Sequence, residues 1–258
     1  MFGLTNDLLA TFLLVTVRLS TAIVVLPAFG AQGTPPQTKV GLALFMALIL
    51  TPLAGPLDLP PGLAPVAAAA VREALVGLAI GFAVLLVFQG LEAAGDMMGV
   101  QMGLGLGQLL DPLTGAASTE MRRFYAVLAM LIFFLANAHH EVIRGLFLSF
   151  ELVPLNTFTA DSLNLTALLA LSAGMFVTGV RIALPVVAAV FLTDVALAVI
   201  ARTMPQLNVL IVGLPVKIAV GLFVLMAALP LTTQLMHATF GSLLEDMTSL
   251  LTPAARGG

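Results

Sequence analysis

Cysteine and tryptophan are both absent from this chain of 258 residues, and tyrosine occurs once. Without cysteine, the sequence forms no disulfide, no thiolate nucleophile and no cysteine-ligated metal site. Charged residues make up only 9% of the chain, against about 25% in soluble domains. Because hydrophobic residues make up 60%, we predict an integral membrane protein, one with few of the aromatic residues that usually mark the lipid interface.

The charge balance excludes further classes of function. The formal net charge is −3, and no run of basic residues indicates a nucleic-acid partner. No Walker-type phosphate loop is present, so the sequence predicts no ATP hydrolysis and no bound cofactor. The first apolar run has no basic segment before it and no cleavage pattern, which favours a retained span over a signal peptide.

Long hydrophobic runs predict an all-α, polytopic membrane protein, because about 20 apolar residues cross a bilayer. There are about six, at 8–29, 40–57, 66–91, 121–138, 165–202 and 209–236. The fifth exceeds one crossing and contains Pro185, which predicts either two short helices or one long kinked helix. Lipid cannot satisfy backbone groups that proline frees. Broken runs therefore predict burial against other subunits or around a cavity.

A glycine-rich stretch at 89–123 separates the third and fourth runs. Gly95, Gly99, Gly103 and Gly107 recur every four residues, which on a helix gives one bare face that another helix can approach closely. Gly105 and Gly107 also weaken the helix, since each glycine costs about 1 kcal/mol relative to alanine. This spacing predicts a close-packed but deformable segment.

The same stretch contains Met97, Met98 and Met102, whose unbranched side chains adapt to irregular gaps. Asp111 and Pro112 end any helix, because proline lacks a donor and restricts the preceding residue. We therefore predict that 89–123 lines or plugs a passage and ends in a loop.

Charges inside apolar runs are candidates for buried polar contacts. Arg18 lies mid-run, where it requires a partner carboxylate, backbone carbonyls or an aqueous conduit. Arg72 and Glu73 lie near a helix start and are expected at the membrane interface. Glu92 and Asp96 share one helix face, which suits acid–base chemistry, cation binding or a solvated cavity mouth.

Histidines at 139 and 140 precede Glu141 and Arg144 in a pattern that superficially matches the zinc-protease motif. Arg144 replaces the second histidine ligand, and a cation cannot bind a metal. We predict a polar helix end without a metal site.

Residues 194–218 form the most specific pattern of the sequence. Arg181 and Asp194 are about 20 Å apart on a straight helix, so each needs another partner. Arg202 ends a helix, where a cation complements its dipole, and a polar turn follows. The marked residues of the pattern are Asp194, Arg202, Pro205, Gln206, Asn208, Gly213, Pro215 and Lys217. These residues alone are typical of a structural turn between apolar arms.

This pattern, with Arg72-Glu73 and the segment from Gln101 to Pro112, resembles the FliR family, whose virulence counterpart is the T subunit (SctT) of type III secretion systems. The resemblance covers the whole chain as one subunit, 1–258. It implies a flagellar export-gate subunit that assembles with FliP and FliQ, and also meets FlhB and FlhA, in the bacterial inner membrane at the basal body. It further implies helical hairpins stacked in a multi-subunit assembly, a plug within 103–120, and unfolded proteins as cargo.

Two other classes of function fit parts of the pattern. Broken helices and mid-span charges are typical of a self-contained secondary transporter of small solutes, although no inverted repeat is visible. An intramembrane hydrolase using His139, His140 and Glu141 lacks an identifiable nucleophile. The sequence therefore predicts a non-enzymatic membrane protein.

Overall fold

The computed structural model describes residues 2–27, 35–55, 57, 60, 62–105, 119–159, 163–204 and 209–252. Regular secondary structure in these ranges is entirely α-helical, which confirms the all-α prediction. The helices are α1 (Phe2–Val25), α2 (Pro36–Ala54), α3 (Leu63–Gln101), α4 (Glu120–Leu135), α5 (Ala138–Leu152), α6 (Leu165–Thr203), α7 (Val209–Gly241) and α8 (Leu243–Leu251).

Helix lengths confirm a polytopic membrane protein. Five helical segments in the described ranges are long and apolar enough to cross a membrane, namely α1, α2, α3, α6 and α7 with α8. The number becomes six if α4 and α5 form one broken span. This number agrees with the about six hydrophobic runs predicted from the sequence.

Proline does not divide the fifth run. Helix α6 extends through 39 residues with Pro185 inside it, so the run is one continuous helix and not two short ones, and the kink of the long-helix alternative stays a prediction. Helix α3 also has 39 residues, and it continues ten residues past the predicted run at 66–91. Gly95 and Gly99 are therefore helical. Close packing against the start of α4 offsets the conformational cost of glycine in a helix.

The fourth run is shorter than predicted. Helix α4 ends at Leu135, and Asn137 adopts a left-handed conformation with φ of 56°. Helix α5 then begins at Ala138 and carries both histidines in its first turn. The predicted polar helix end is thus the start of a new helix.

The chain folds into two compact units. The first comprises Met1–Leu86, Asn137–Ser172 and Gly241–Gly258, and the second comprises Val87–Ala136 and Ala173–Phe240. In the first unit, α1 packs on α2 and α8 packs on α5. In the second, the rings of Phe88, Phe133 and Phe240 form a mutual cluster with centroids 5.4 to 5.5 Å apart.

Candidate functional site

The first turn of α4 packs directly on the glycine face of α3. A Cβ atom at Gly95 would lie 2.6 Å from the Met121 carbonyl oxygen, and one at Gly99 would lie 2.6 Å from Thr119 Oγ1. Only glycine permits this approach, because any side chain would collide with the neighbouring backbone or cap. Gly103, just beyond the end of α3, has a positive φ of 82°.

Arg122 occupies the space between two carboxylates near the C-terminal end of α3, those of Glu92 and Asp96. Its guanidinium lies 2.8 Å from Glu92 Oε2 and 2.9 Å from Asp96 Oδ2, and it donates to Gln89 Oε1 at 3.2 Å. Helix α3 places Glu92 and Asp96 one turn apart, so one planar guanidinium reaches both. One guanidinium of the same chain therefore offsets part of the charge of both carboxylates.

Thr119 joins this cluster to the start of α4. Its hydroxyl donates to Asp96 Oδ1 at 3.0 Å and accepts from the Arg122 backbone N–H at 3.1 Å. That second bond is a helix N-cap, which satisfies one of the free donors of the first turn. The N-terminus of α4 is thus held by both a cap and an ion-pair network.

The three methionines of α3 lie in two different environments. Met98 and Met102 are fully buried within the chain, and the Met102 side chain fills the position that a Cβ at Gly221 of α7 would take. Met97 instead lines a cavity of about 480 Å³ with Asp96, Val100 and Gln101 of α3 and with Val180, Ala183, Leu184 and Val187 of α6. Of the predicted sealing residues, Met97 alone borders open space in the described part of the subunit.

A second polar cluster lies at the C-terminal end of α3. Lys217 of α7 forms an ion pair with Asp194 of α6, and Gln101, the last residue of α3, has its Nε2 atom 3.5 Å from Asp194 Oδ2. Three helices therefore meet through polar side chains at this end. The partner that Asp194 was expected to need is Lys217.

Other predicted residues of this region are more exposed or lie outside the described residues. Arg202 is exposed in the last turn of α6, and Arg181 is exposed near the middle of that helix. Gly105 follows the end of α3. Six predicted positions lie outside the described residues, namely Gly107, Asp111, Pro112, Pro205, Gln206 and Asn208.

The first unit contains a separate, fully buried polar cluster. Arg18 of α1 donates to Glu73 of α3 at 2.6 Å, and both side chains have 0% exposure. The guanidinium also donates to the carbonyl oxygens of Ser149 and Val153 at 2.9 Å each. The second carboxylate oxygen of Glu73 accepts from the Asn156 backbone N–H at 2.8 Å. This cluster ties α1 and α3 to the C-terminal end of α5.

Sequence reasoning identified Arg18 but missed its partners. Glu73, expected with Arg72 at the membrane interface, is buried within the chain, while Arg72 is exposed and donates to Asn156 Oδ1 at 2.9 Å. The useful signal was the cost of an unpaired mid-span arginine, which predicts a partner carboxylate or backbone carbonyls. Both kinds of partner are present, but the sequence did not identify which carboxylate or which carbonyls, here those of Ser149 and Val153.

The described residues contain no group of three or more His, Asp or Glu side chains able to hold a metal ion. The rings of His139 and His140 lie 4.1 Å apart at the start of α5. Glu141 is paired with Arg144 at 3.7 Å, on an exposed surface. The geometry around these histidines therefore adds no support for a metal site.

The family model described as "Bacterial export proteins, family 1" matches residues 9–243. The chain belongs to this family. Flagellar biosynthetic protein FliR of Bacillus subtilis is 34% identical over 95% of this chain and 96% of its own length. FliR of Escherichia coli is 29% identical over 91% of each chain. Surface presentation of antigens protein SpaR of Shigella flexneri is 27% identical over 60% of this chain and 59% of its own length.

Membership of export family 1 confirms the resemblance that the 194–218 pattern and the Gly-rich stretch indicated. The match includes every described polar cluster, since both Arg18 and Lys217 fall inside residues 9–243. The chain is therefore a multi-pass bacterial export protein.

Proposed function

We propose that this chain is a subunit of the flagellar type III protein export gate. In this proposal it assembles with FliP and FliQ, and also meets FlhB and FlhA, in the inner membrane at the flagellar basal body. The observation that carries the proposal is the family match over 9–243, together with near full-length similarity to FliR proteins. The same match favours an export subunit over a self-contained solute transporter.

Exposed apolar helices support assembly with other subunits. In the most apolar windows of α6 and of α7 with α8, only 22% of the residues are buried within the chain. Large side chains such as Phe176, Phe191 and Phe223 are 58 to 69% exposed. Such extensive apolar faces require lipid or other protein, and stacking of helical hairpins in a multi-subunit assembly would cover them. We also assign Arg202 and the residues 205–208, for which the sequence predicts a turn, to that assembly.

The proposed gate is the segment 103–120, which unfolded proteins pass when the pathway opens. Polar clusters hold both flanks of the segment, with Gln101, Asp194 and Lys217 at the end of α3 and Arg122 with its carboxylates at the start of α4. In this proposal the two clusters hold the ends of α3 and α4 in place while the pathway opens, and Gly107, Asp111 and Pro112 of the gate lie outside the described residues. In this proposal the flexible side chain of Met97 adjusts to what passes the cavity that it lines, and the buried side chains of Met98 and Met102 pack α3 against its neighbours.

Protein secretion tests this proposed function. Deletion of the gene should abolish secretion of flagellin and hook protein into the medium, and expression of this chain should restore it. Total cellular flagellin, measured in a strain in which flagellin synthesis does not depend on export, controls for expression. Normal secretion in the deletion strain would refute the export role.

A further inference from the structure

A cavity lies in the first unit between the C-terminal ends of α2 and α5. Its volume is about 230 Å³, below the roughly 300 to 1,000 Å³ of sites that hold drug-sized ligands. Its lining includes Leu50 and Leu53 of α2, Phe147, Phe150 and Glu151 of α5, and Pro154 just beyond α5. We name this space the Glu151 cavity, and its size suits a small headgroup or side chain.

Glu151 gives the cavity a negative charge. Its side chain is exposed, and its carboxylate has no ion-pair partner among the described residues. Two exposed cations of the same unit have other partners. Arg144 is paired with Glu141, and Arg72 donates to Asn156. No lysine or arginine lines the cavity in the described part of the chain, so the cavity attracts a cation from outside.

The end of α5 adds to that negative potential. An α-helix carries a partial negative charge at its C-terminus, where the last carbonyl oxygens lack helical donors. Helix α5 ends at Leu152. Pro154 stands where the next turn would supply the donor for the Phe150 carbonyl oxygen, and proline has no N–H. The backbone and Glu151 therefore favour the same charge in a ligand.

Two aromatic rings of the lining favour an ammonium group. The face of a phenyl ring attracts cations, and aromatic pockets recognise amines in this way. The buried Arg18 guanidinium lies 4.3 Å from the centre of the Phe150 ring, so that ring already has a cation beside it. Phe147 is 38% exposed and is therefore the ring more available to a ligand. An ammonium group on a short carbon chain can donate to the Glu151 carboxylate while its carbon atoms pack on the rings.

The position of the cavity favours a lipid over a soluble amine. Helix α2 is long and apolar enough to cross a membrane, and the cavity adjoins its last residues. A helix that crosses the bilayer ends at the level of the lipid headgroups. Leu48 and Leu53 of α2 are 65 and 75% exposed, so acyl chains have an apolar surface that leads to the cavity. An anionic headgroup without an amine would instead be repelled by Glu151.

We propose that the Glu151 cavity binds the headgroup of phosphatidylethanolamine, a phospholipid with a primary ammonium group on a short carbon chain. In this arrangement the ammonium nitrogen donates to Glu151, the headgroup carbons pack on Phe147, and the acyl chains lie along α2. The inference goes beyond the proposed function and does not depend on it, because it concerns the lipid that the subunit selects and not the cargo.

Lipid titration of the purified protein tests the selectivity of the site. The full chain, with the subunits that copurify, is stripped of lipid by detergent exchange. It is then titrated with phosphatidylethanolamine or phosphatidylglycerol of the same acyl chains, and bound lipid is counted by native mass spectrometry. We expect a site that prefers phosphatidylethanolamine by at least about tenfold, because only this lipid has a cation for Glu151. Equal affinity for the two lipids would overturn the inference.

Matched variants locate the site. Glu151→Gln keeps the size of the side chain and should bring the two affinities within about twofold of each other. Phe147→Leu should weaken phosphatidylethanolamine binding about two- to fivefold. Glu141→Gln on the same helix, and Phe176→Leu at an exposed ring of α6, should each change the preference by less than about twofold. Unchanged preference in the Glu151→Gln protein would overturn the assignment of the site.

Carbodiimide coupling in native membranes tests the contact without any substitution. An apolar carbodiimide activates a carboxylate, which forms an amide with a primary amine that touches it, and the carbodiimide leaves as its urea. Cleavage after Arg144 separates the peptide of Glu151 from that of Glu141. We expect only the Glu151 peptide to carry the mass of phosphatidylethanolamine.

Three results of the coupling would overturn the inference. They are an amide between Glu151 and a lysine of another protein, coupling to a soluble polyamine, and a Glu151 peptide without a lipid adduct. The export role is unaffected by any of them, since flagellin secretion decides it separately.

Discussion

Arg18 of α1 and Glu73 of α3 form an ion pair with a nitrogen–oxygen distance of 2.5 Å and no solvent exposure on either side chain. The pair is saturated, because the guanidinium also reaches two carbonyl oxygens and the carboxylate also accepts from Asn156. The Arg18 guanidinium additionally lies 4.3 Å from the centre of the Phe150 ring. Such a cluster fixes the position of α1 relative to α3, because either charge would be buried without compensation if its partner were lost.

Breaking this pair should strongly destabilise the subunit. Arg18→Leu leaves Glu73 charged and buried without its main partner, which costs about 3 to 5 kcal/mol. We expect reduced accumulation in the membrane and a lower midpoint of thermal unfolding in detergent. The double variant Arg18→Leu/Glu73→Leu should recover part of the loss, but not all, because Asn156 N–H and two carbonyls remain without partners.

Arg144→Leu is the matched control for that experiment. Its ion pair with Glu141 is on the surface, with 67% exposure of the arginine side chain, so its loss should cost no more than about 1 kcal/mol. Equal stability of the Arg18→Leu and Arg144→Leu proteins would contradict the structural role assigned to the buried cluster.

Gly95 should not tolerate even the smallest side chain. Gly95→Ala places a Cβ 2.6 Å from the Met121 carbonyl oxygen, and relief of that collision moves the start of α4 at a cost of about 1 to 3 kcal/mol. Gly41→Ala is the control, because that position of α2 faces open space and gains helix propensity. Thermal unfolding in detergent should separate the two variants, and equal midpoints would argue against the close approach of α3 and α4.

Export should depend on the opposite charges of Lys217 and Asp194, but less on which of the two positions carries which charge. Lys217→Met leaves Asp194 between apolar helices without its cation, which destabilises the end of α3 where Gln101 joins the cluster. We expect lower secretion of flagellar proteins at unchanged transcript level. Lys217→Arg should retain most secretion, and the exchange Lys217→Asp/Asp194→Lys should restore part of it. If the exchange is no better than either single change, the pair acts through another group.

Deletion of residues 105–115 tests the gate directly. The ion-pair clusters on both flanks are left in place, so we expect assembly to remain intact and ion leakage across the membrane to rise. Conductance of the purified complex in planar bilayers gives the readout. A variant with the same eleven positions replaced by a Gly/Ser linker of equal length separates the role of the sequence from that of the length. Unchanged permeability after the deletion would exclude this segment as the gate.

The sequence predicted the spans and the family well, because both depend on composition and on local patterns. Hydropathy located the helices, and the pattern at 194–218 led to the correct family. The length of the run at 165–202, in contrast, allowed either two short helices or one long helix. Proline ends a helix in some apolar runs and not in others, because neighbouring helices can satisfy the backbone groups that it frees. Here α6 continues through Pro185.

Pairings between distant residues could not be read from the sequence. The mid-run position of Arg18 predicted a partner such as a carboxylate. Glu73 was not recognised as that partner, because it lies beside Arg72 near the predicted helix start and was expected at the membrane interface. In the structure α3 begins at Leu63, so Glu73 is already in its third turn and faces α1. Likewise Asp194 and Lys217 lie on different helices, and only the structure shows that their side chains meet.

Isolation of the tagged chain from its native cell in mild detergent, with mass spectrometry of the copurifying proteins, is the decisive test of the export-gate assignment. We predict a discrete large complex containing FliP and FliQ at defined ratios, which remains intact when residues 105–115 are deleted and dissociates when Arg18 is replaced by leucine. A chain that purifies alone, monodisperse and stable, would contradict the export-gate assignment.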